Sequence, residues 1–497
     1  MPFYSPVYSM SKNLRSILLV LVAFVAILQF FTGASGQSVE ATINIDSNQT
    51  SVVQVSGKMG SKRRNLSFLR SLAGIDNLGE RVSEVTLFDD GGKSVTYKKF
   101  VAGEYVADAD FSSWRYKIDL TPPKNRTAAA HISWLTSENG LLMLGDVLPI
   151  FGNTPTSAKV KIAIPKGWLQ IENRIDNVVD TQDVASEIVA VGKDIRFRMV
   201  HIADTAMTIC IAGEWLFTGD DITNFARDIY AETRQVFGSD NSNAVFINIF
   251  RFPQAAPIGQ WEAETRGRNI TIVSSDMPFK SQSLQRLHEQ LRHEIFHLWL
   301  PNGVNLSGQY DWFYEGFALY RSLKLGVAVN RIRFDDFLDT LSRAYDIDRL
   351  SAQKVSLIDA SKNRWAGANT RVYARGMLVA FLCDVAMLDA SRGKRSTDNL
   401  LRELYEKHSP PAAATDANTA ILTLMKSRNE LAPIVERYVT GSEPLDWTAL
   451  LQKAGIDATT RDQLTRLATV AKPSGRQKDL LDKLGYNSWR KLGNSKQ

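Results

Sequence analysis

The sequence predicts an α+β multidomain protein, with a β-rich, sandwich-like domain first, a mixed α/β unit second and a helical region toward the carboxyl end. Three observations carry that expectation. Segments up to about Gly219 alternate apolar with polar residues, the period of a strand with one buried face. From Asp220 the apolar positions recur at helical spacing, and a compact apolar strand follows at 245–250. The composition, 44% hydrophobic and 23% charged over 497 residues, is that of a globular chain long enough for about two to four domains. The expected division is a targeting segment over 1–36, the β-rich domain over 37–219, the α/β unit over 220–400, its helical continuation over 401–456 and a basic tail over 457–497.

Residues 1–36 read as a signal peptide or anchor rather than as fold. Lys12 and Arg15 precede an apolar run, 17–31, interrupted by Gln29, and Ala34-Ser35-Gly36 then supplies small residues suited to signal-peptidase cleavage. The run is shorter than the about 20 residues a membrane span wants, which favours a cleaved signal and leaves membrane anchoring through 17–31 as the alternative. Either way the protein is expected to be exported, periplasmic or secreted. The charge balance, 59 Lys and Arg against 53 Asp and Glu, is mildly basic but scattered, so it gives no footprint for nucleic acid. With only Cys210 and Cys383, a disulfide scaffold and a cysteine-based zinc site are both excluded, and any metal falls to histidine and carboxylate.

The strands expected in the first domain include 51–55, 81–87, 158–164 and 194–200, punctuated by turn signals such as Asp90-Gly91-Gly92 and Pro122-Pro123. His131 and His201 fall in this region as packed or surface residues. In the α/β unit, Ile222, Phe225, Ala226, Ile229, Thr233, Val236 and Phe237 mark a helix behind an Asp cap.

The chemistry is concentrated after Ser281. Leu284, Leu287, Leu291, Ile295 and Leu298 form a helical stripe that contains His293-Glu294-Ile295-Phe296-His297, a His-Glu-x-x-His pattern. Two histidines four apart project from one helix face, so both imidazoles can reach one ion at about 2.0–2.1 Å. Glu294 is rotated about 100° from His293, placed to reach a water rather than to ligate. Glu315, within Asp311-Trp312-Phe313-Tyr314-Glu315-Gly316 on a second helix, can complete a His2Glu site with an open fourth position. His288 is rotated off the metal face and reads as a surface or supporting residue, and Asp311 reads as a cap for the second helix.

Glu315-Gly316-Phe317-Ala318 after His293–His297 resembles the gluzincin pattern of zinc metallopeptidases, with a thermolysin-like α/β domain. Three further segments, 372–384, 391–404 and 435–456, resemble the glycyl aminopeptidase family within that group. The resemblance implies one zinc ion on His293, His297 and Glu315, with Glu294 as general base. It also implies that the Tyr373 hydroxyl stabilises the tetrahedral oxyanion, a task suited to a neutral phenol donor. Gluzincin aminopeptidases read the substrate's free amino group with a glutamate on a glycine-containing strand, and Gly259-Gln260-Trp261-Glu262-Ala263 stands at that place. Glu262 matches by type, Ala263 replaces an expected histidine, and Glu264 shares the strand face and is the alternative. About forty residues follow Ile456, too few for the PDZ domain the family often carries. The implied partner is a peptide or protein substrate, and the implied activity is that of an aminopeptidase. An endopeptidase of the same fold, or an exported binding protein without turnover, are the alternatives.

Overall fold

The structure is a computed structural model that describes residues 38–152, 156–171, 178–239, 244–352 and 354–488. The apolar run at 17–31 lies outside the described residues. Among the described residues no helix is long and apolar enough to cross a membrane.

Three sheets are stacked in order along the amino-terminal half. The outermost has eight strands, in the spatial order Val178–Thr181, Ser157–Ala163, Ser38–Ile45, Val52–Ser67, Glu104–Asp119, Val82–Phe88 and Ser94–Val95, with Tyr97–Val101 also paired to Glu104–Asp119. Its strands alternate as expected, and Val53, Val55, Tyr116, Ile118, Val160 and Ile162 point into one core. The second sheet orders Leu169–Ile171, Ile188–Gly192, Asn139–Met143 and Trp134–Leu135. Its central strands are buried on both faces. Leu142, Val189 and Val191 pack against the large sheet, whereas Leu141, Met143, Ile188 and Ala190 pack the other way, against Phe250 and Val273 of the third sheet. That double burial removes the alternation that would have announced those strands in sequence.

The third sheet carries the site. Its strands, labelled in chain order, are β1 (Ile195–Ile202), β2 (Thr205–Ala212), β3 (Ala244–Arg251), β4 (Trp261–Arg266) and β5 (Asn269–Ser274), arranged β1-β2-β3-β5-β4. β2, β3 and β5 run parallel, while β1 and β4 are antiparallel edges. β1 and β2 were expected in the β-rich domain up to Gly219, but Thr205–Ala212 pairs directly with Ala244–Arg251, so the sheet boundary falls between Gly192 and Ile195. Periodicity identifies a strand; it carries no information about which sheet accepts it.

Four helices matter to the site: α1 (Gly219–Phe237), α2 (Lys280–Phe296), α3 (Asp311–Ala328) and α4 (Asn369–Ala390). α1 buries the predicted stripe, but its cap is Thr218, whose hydroxyl accepts from the Asp221 amide while the Asp221 carboxylate accepts from the Thr218 amide. α3 and α4 cross at two glycines. A β-carbon on Gly316 would lie 2.4 Å from the backbone carbon of Gly376, and one on Gly376 would lie 2.6 Å from the Trp312 carbonyl oxygen. Only glycine permits that approach.

Beyond α4 the chain continues through the helices Thr397–His408, Ala417–Lys426 and Thr448–Ala454. The segment expected as a basic tail instead folds as a hairpin, Ile456–Arg461 with Leu464–Thr469, and a helix, Gly475–Leu484. Thr465 anchors the hairpin through its amide and hydroxyl to Asp346, at 2.7 and 2.6 Å, and Leu480, Leu481 and Leu484 are buried. The turn uses Asp462 and Gln463, both at positive φ, so the glycine that usually announces such a turn is missing.

Candidate metal centre

α2 and its C-terminal end bring both histidines to a buried place between β4 and α3. The helix proper ends at Phe296, and His297 is its C-cap, still in right-handed conformation, which keeps the two imidazoles one turn apart on one face. The Nε2 atoms of His293 and His297 are 3.2 Å apart, and Oε2 of Glu315 lies 3.2 Å from the first and 3.5 Å from the second. All three side chains are buried. Ligand atoms about 2.05 Å from a shared tetrahedral centre are separated by about 3.3 Å, so this triangle has the dimensions of three corners of a zinc tetrahedron.

The hydrogen bonding at His297 suits a metal ligand. His297 Nδ1–H donates to the Leu300 carbonyl at 2.8 Å, which leaves the Nε2 lone pair facing the triangle's centre. Burial disfavours charge on Glu315, yet Arg364 and the two histidines outweigh it and hold the carboxyl well below the usual range. Glu294 and Glu315 are buried and Asp311 is half-buried, with Arg364 paired to Glu315 and Asp311, an acid-rich setting that suits a divalent cation. Among the described residues this is the one group of histidine, cysteine and acidic side chains close enough to share an ion.

Glu294 is held apart from the ligands. Its Oε1 is 4.0 Å from His293 Nε2, and its Oε2 accepts from the Thr265 hydroxyl at 2.8 Å. The base is therefore oriented by β4, while Asn302 ties β4 to the end of α2 by donating to the carbonyls of Thr265 and His297, each at 3.0 Å. Asn302 also accepts from the Gly267 amide at 2.8 Å. Neither Thr265 nor Asn302 stands out in the sequence.

Arg364, on the short turn Arg364–Ala366, is the other unpredicted member. It donates from Nη1 to Glu315 Oε1 at 2.9 Å and to Asp311 Oδ1 at 2.7 Å, and from Nη2 to the Tyr373 hydroxyl at 2.6 Å. Tyr373 thereby joins the ligand cluster through one guanidinium. Burial first, and then Glu315, raise its phenol well above the ordinary value, so it is a neutral donor. Asp311 is not the cap of α3; it is the first helical residue, and its carboxylate serves Arg364 instead. His288 proves buried, with Nδ1 against the Arg292 guanidinium, and burial followed by the charges of Arg292 and Arg331 pushes its pKa down to about 3.

The candidates on the edge strand separate. Gly259 has φ +73° and lies in the Pro257–Gln260 turn before β4, where a β-carbon would meet Met277 Sδ at 2.8 Å. Glu264 is already committed. Its oxygens accept from Arg266 Nε and Nη2 at 2.8 and 2.7 Å, and His131 Nδ1 lies 2.5 Å away. Glu262 makes no salt bridge among the described residues; burial raises its carboxyl pKa, against the lesser pulls of His131 and a side-chain hydrogen bond from Gln260. His131 packs edge-on at 5.9 Å to Trp365, which stacks under Arg364 at 4.5 Å.

No protein-family model matches the sequence and no curated protein matches it. Solved structures do match. An aminopeptidase N family protein from Idiomarina loihiensis aligns with a TM-score of 0.73 at 13% identity, covering 85% of this chain and 79% of that one. An M1 zinc metallopeptidase mutant from Deinococcus radiodurans bound to Tyr-Ser-Ala substrate aligns at 0.52 and 14% identity, covering 83% and 98%. A two-domain M1 zinc metallopeptidase mutant bound to L-tryptophan aligns at 0.51 and 15% identity, covering 83% and 96%. The chain shares the fold of the M1 zinc metallopeptidases. At these identities the likeness is one of architecture, and it matches the predicted succession of β-rich domain, α/β unit and helical region. In this M1 fold, the His-Glu-x-x-His helix and the helix bearing Glu315 bring three donor atoms together as the sequence pattern anticipates.

Proposed function

We propose that the chain is a zinc-dependent peptidase that removes amino-terminal residues from peptides. The observation that carries this reading is the buried triangle of His293, His297 and Glu315 with Glu294 beside it but outside it. A closed structural site would offer four ligands; three ligands and a separate oriented carboxylate suit hydrolysis.

Zinc, held by His293, His297 and Glu315, would supply Lewis acidity toward water and the scissile carbonyl. Glu294, oriented by Thr265, takes the proton of the attacking water and passes it to the leaving amine. Tyr373 donates its O–H to the carbonyl oxygen as negative charge develops there. As the edge strand of its sheet, β4 offers an extended peptide a strand to pair with, and its Thr265 hydroxyl donates to Glu294. Glu262, a partly buried carboxyl outside any salt bridge among the described residues, suits a substrate ammonium group. Glu264 does not, because Arg266 and His131 already occupy it.

The segments at 372–384, 391–404 and 435–456 support the finer placement among glycyl aminopeptidases. The apolar run at 17–31 supports export, which fractionation of expressing cells would test. Replacement Glu294→Gln tests the central claim. Metal content by mass spectrometry should stay near one zinc per chain while kcat on a peptide library falls by about 10³-fold, the middle of the range for losing an acid–base group. Undiminished turnover rejects the assignment. Amino-blocked peptides in the same library separate aminopeptidase from endopeptidase.

A further inference from the structure

We propose that Arg364 is a positioning residue that fixes the ligand carboxylate and strengthens Tyr373 as a hydrogen-bond donor at the same time. The inference rests on the peptidase reading above. Its basis is a fork: Nη1 reaches Glu315 Oε1 at 2.9 Å, and Nη2 reaches the Tyr373 hydroxyl at 2.6 Å. The fork is itself held by Asp311 Oδ1 at 2.7 Å, by Asn369 Oδ1 at 3.2 Å on Nε, and by stacking on Trp365.

Two consequences follow from the chemistry of the groups. Arginine has donors and no acceptor, so in the contact with Tyr373 the phenol oxygen must accept, and the phenol's own hydrogen, which meets Glu315 in this structure, is the one that can turn to an oxyanion. A hydroxyl that accepts from a cation is polarised into a stronger donor. Tyr373 is thus primed for an oxyanion. On the other arm, Arg364 occupies Oε1 of Glu315 and leaves Oε2, the oxygen facing both imidazoles, as the one free to ligate. A planar guanidinium can serve both atoms in fixed geometry, whereas a lysine ammonium is a point charge that cannot span them. Arg364 is buried, so water does not stand in for it readily.

A double-mutant cycle distinguishes this coupling from ordinary ion-pair stability. Wild type, Arg364→Lys, Tyr373→Phe and the double variant would be compared on aminoacyl anilides and peptides. A phosphonic dipeptide analogue carrying a tetrahedral oxyanion would be titrated calorimetrically, and zinc content measured for each. Arg364→Lys should lower kcat by about 10- to 100-fold with KM nearly unchanged, and weaken the analogue by a similar factor. In the Tyr373→Phe background the same change should cost distinctly less than in wild type, because one of its two targets is gone. Fully multiplicative losses, or a loss confined to KM, would each overturn the proposal. A zinc-loaded wild type that cleaves no substrate and binds no analogue would instead sink the peptidase reading itself.

Discussion

The carboxylate of Glu264 offers a direct measurement of how tightly β4 is locked. Burial alone would raise its pKa, but Arg266 and His131 outweigh burial and push it down to about 2, from 4.5 for a free glutamate. The difference, 4.5 minus 2, is about 2.5 units, or about 3 kcal/mol at about 1.4 kcal/mol per unit. The side chain is 24% exposed, so this magnitude needs little reduction for solvent screening. Because the folded pKa is the lower one, the stabilisation is complete above about pH 4.5 and disappears as the pH falls from there toward 2. Urea unfolding followed by tryptophan fluorescence, run for wild type and Glu264→Gln between pH 7 and 2, isolates this group from all other carboxylates. Wild type should exceed the variant by about 3 kcal/mol at pH 7, and the gap should close below pH 4. A gap that is absent at pH 7, or that persists unchanged at pH 2, refutes the assignment of Glu264 as a paired, structural carboxylate.

Three further outcomes test the arrangement around it. Glu262→Gln should raise KM for peptides with free amino termini by about tenfold and leave amino-blocked peptides unaffected, as measured by parallel steady-state assays. Gly376→Ala should cost about 1–3 kcal/mol in unfolding experiments and lower kcat, since the α3–α4 crossing must open and carry Glu315 away from Tyr373. Asp348→Ala should be more damaging, about 3–5 kcal/mol by the same measurement. It strips the shared carboxylate from Arg371 and Arg375, both buried and each 3.0 Å from it.

What the sequence made legible is the short-range part of the site. His293 and His297 are fixed by one helical turn, whereas Glu315 stands on the next helix, and the packing of α3 against α2 brings its carboxylate to them. The α1 stripe was readable, and so were the stretches at 51–55, 81–87 and 158–164, which fall in the strands Val52–Ser67, Val82–Phe88 and Ser157–Ala163, because one face of each meets water. Arg364 was not readable. It belongs to a three-residue turn, and its two partners lie 49 and 9 positions away with no periodic relation to it. Arginine in a loop normally solvates itself, and only the folded chain shows this one buried among carboxylates. The 456–469 hairpin escaped for a different reason: Ile456–Arg461 buries only Ile456, so no alternation marks its first strand. The commitment of Glu264 was hidden because its partner His131 sits 133 positions earlier, in another sheet region.

That last contact gives the β-rich domain a part in the chemistry. Asp146, buried, accepts from the Ser133 amide at 2.8 Å and from Arg81 at 3.1 Å, which fixes the segment around His131. The His131 carbonyl in turn accepts from Arg266 at 2.6 Å, and its ring meets Glu264. Arg266 and Glu264 flank Thr265 on β4, and Thr265 orients the Glu294 carboxylate. An edge strand is the least constrained member of a sheet, with hydrogen bonds on one side only. β4 is held from three directions: by β5 through the sheet, by Asn302 from the end of α2, and by His131 from the amino-terminal half. The proton acceptor of the proposed reaction therefore owes its position to a domain that contributes no ligand.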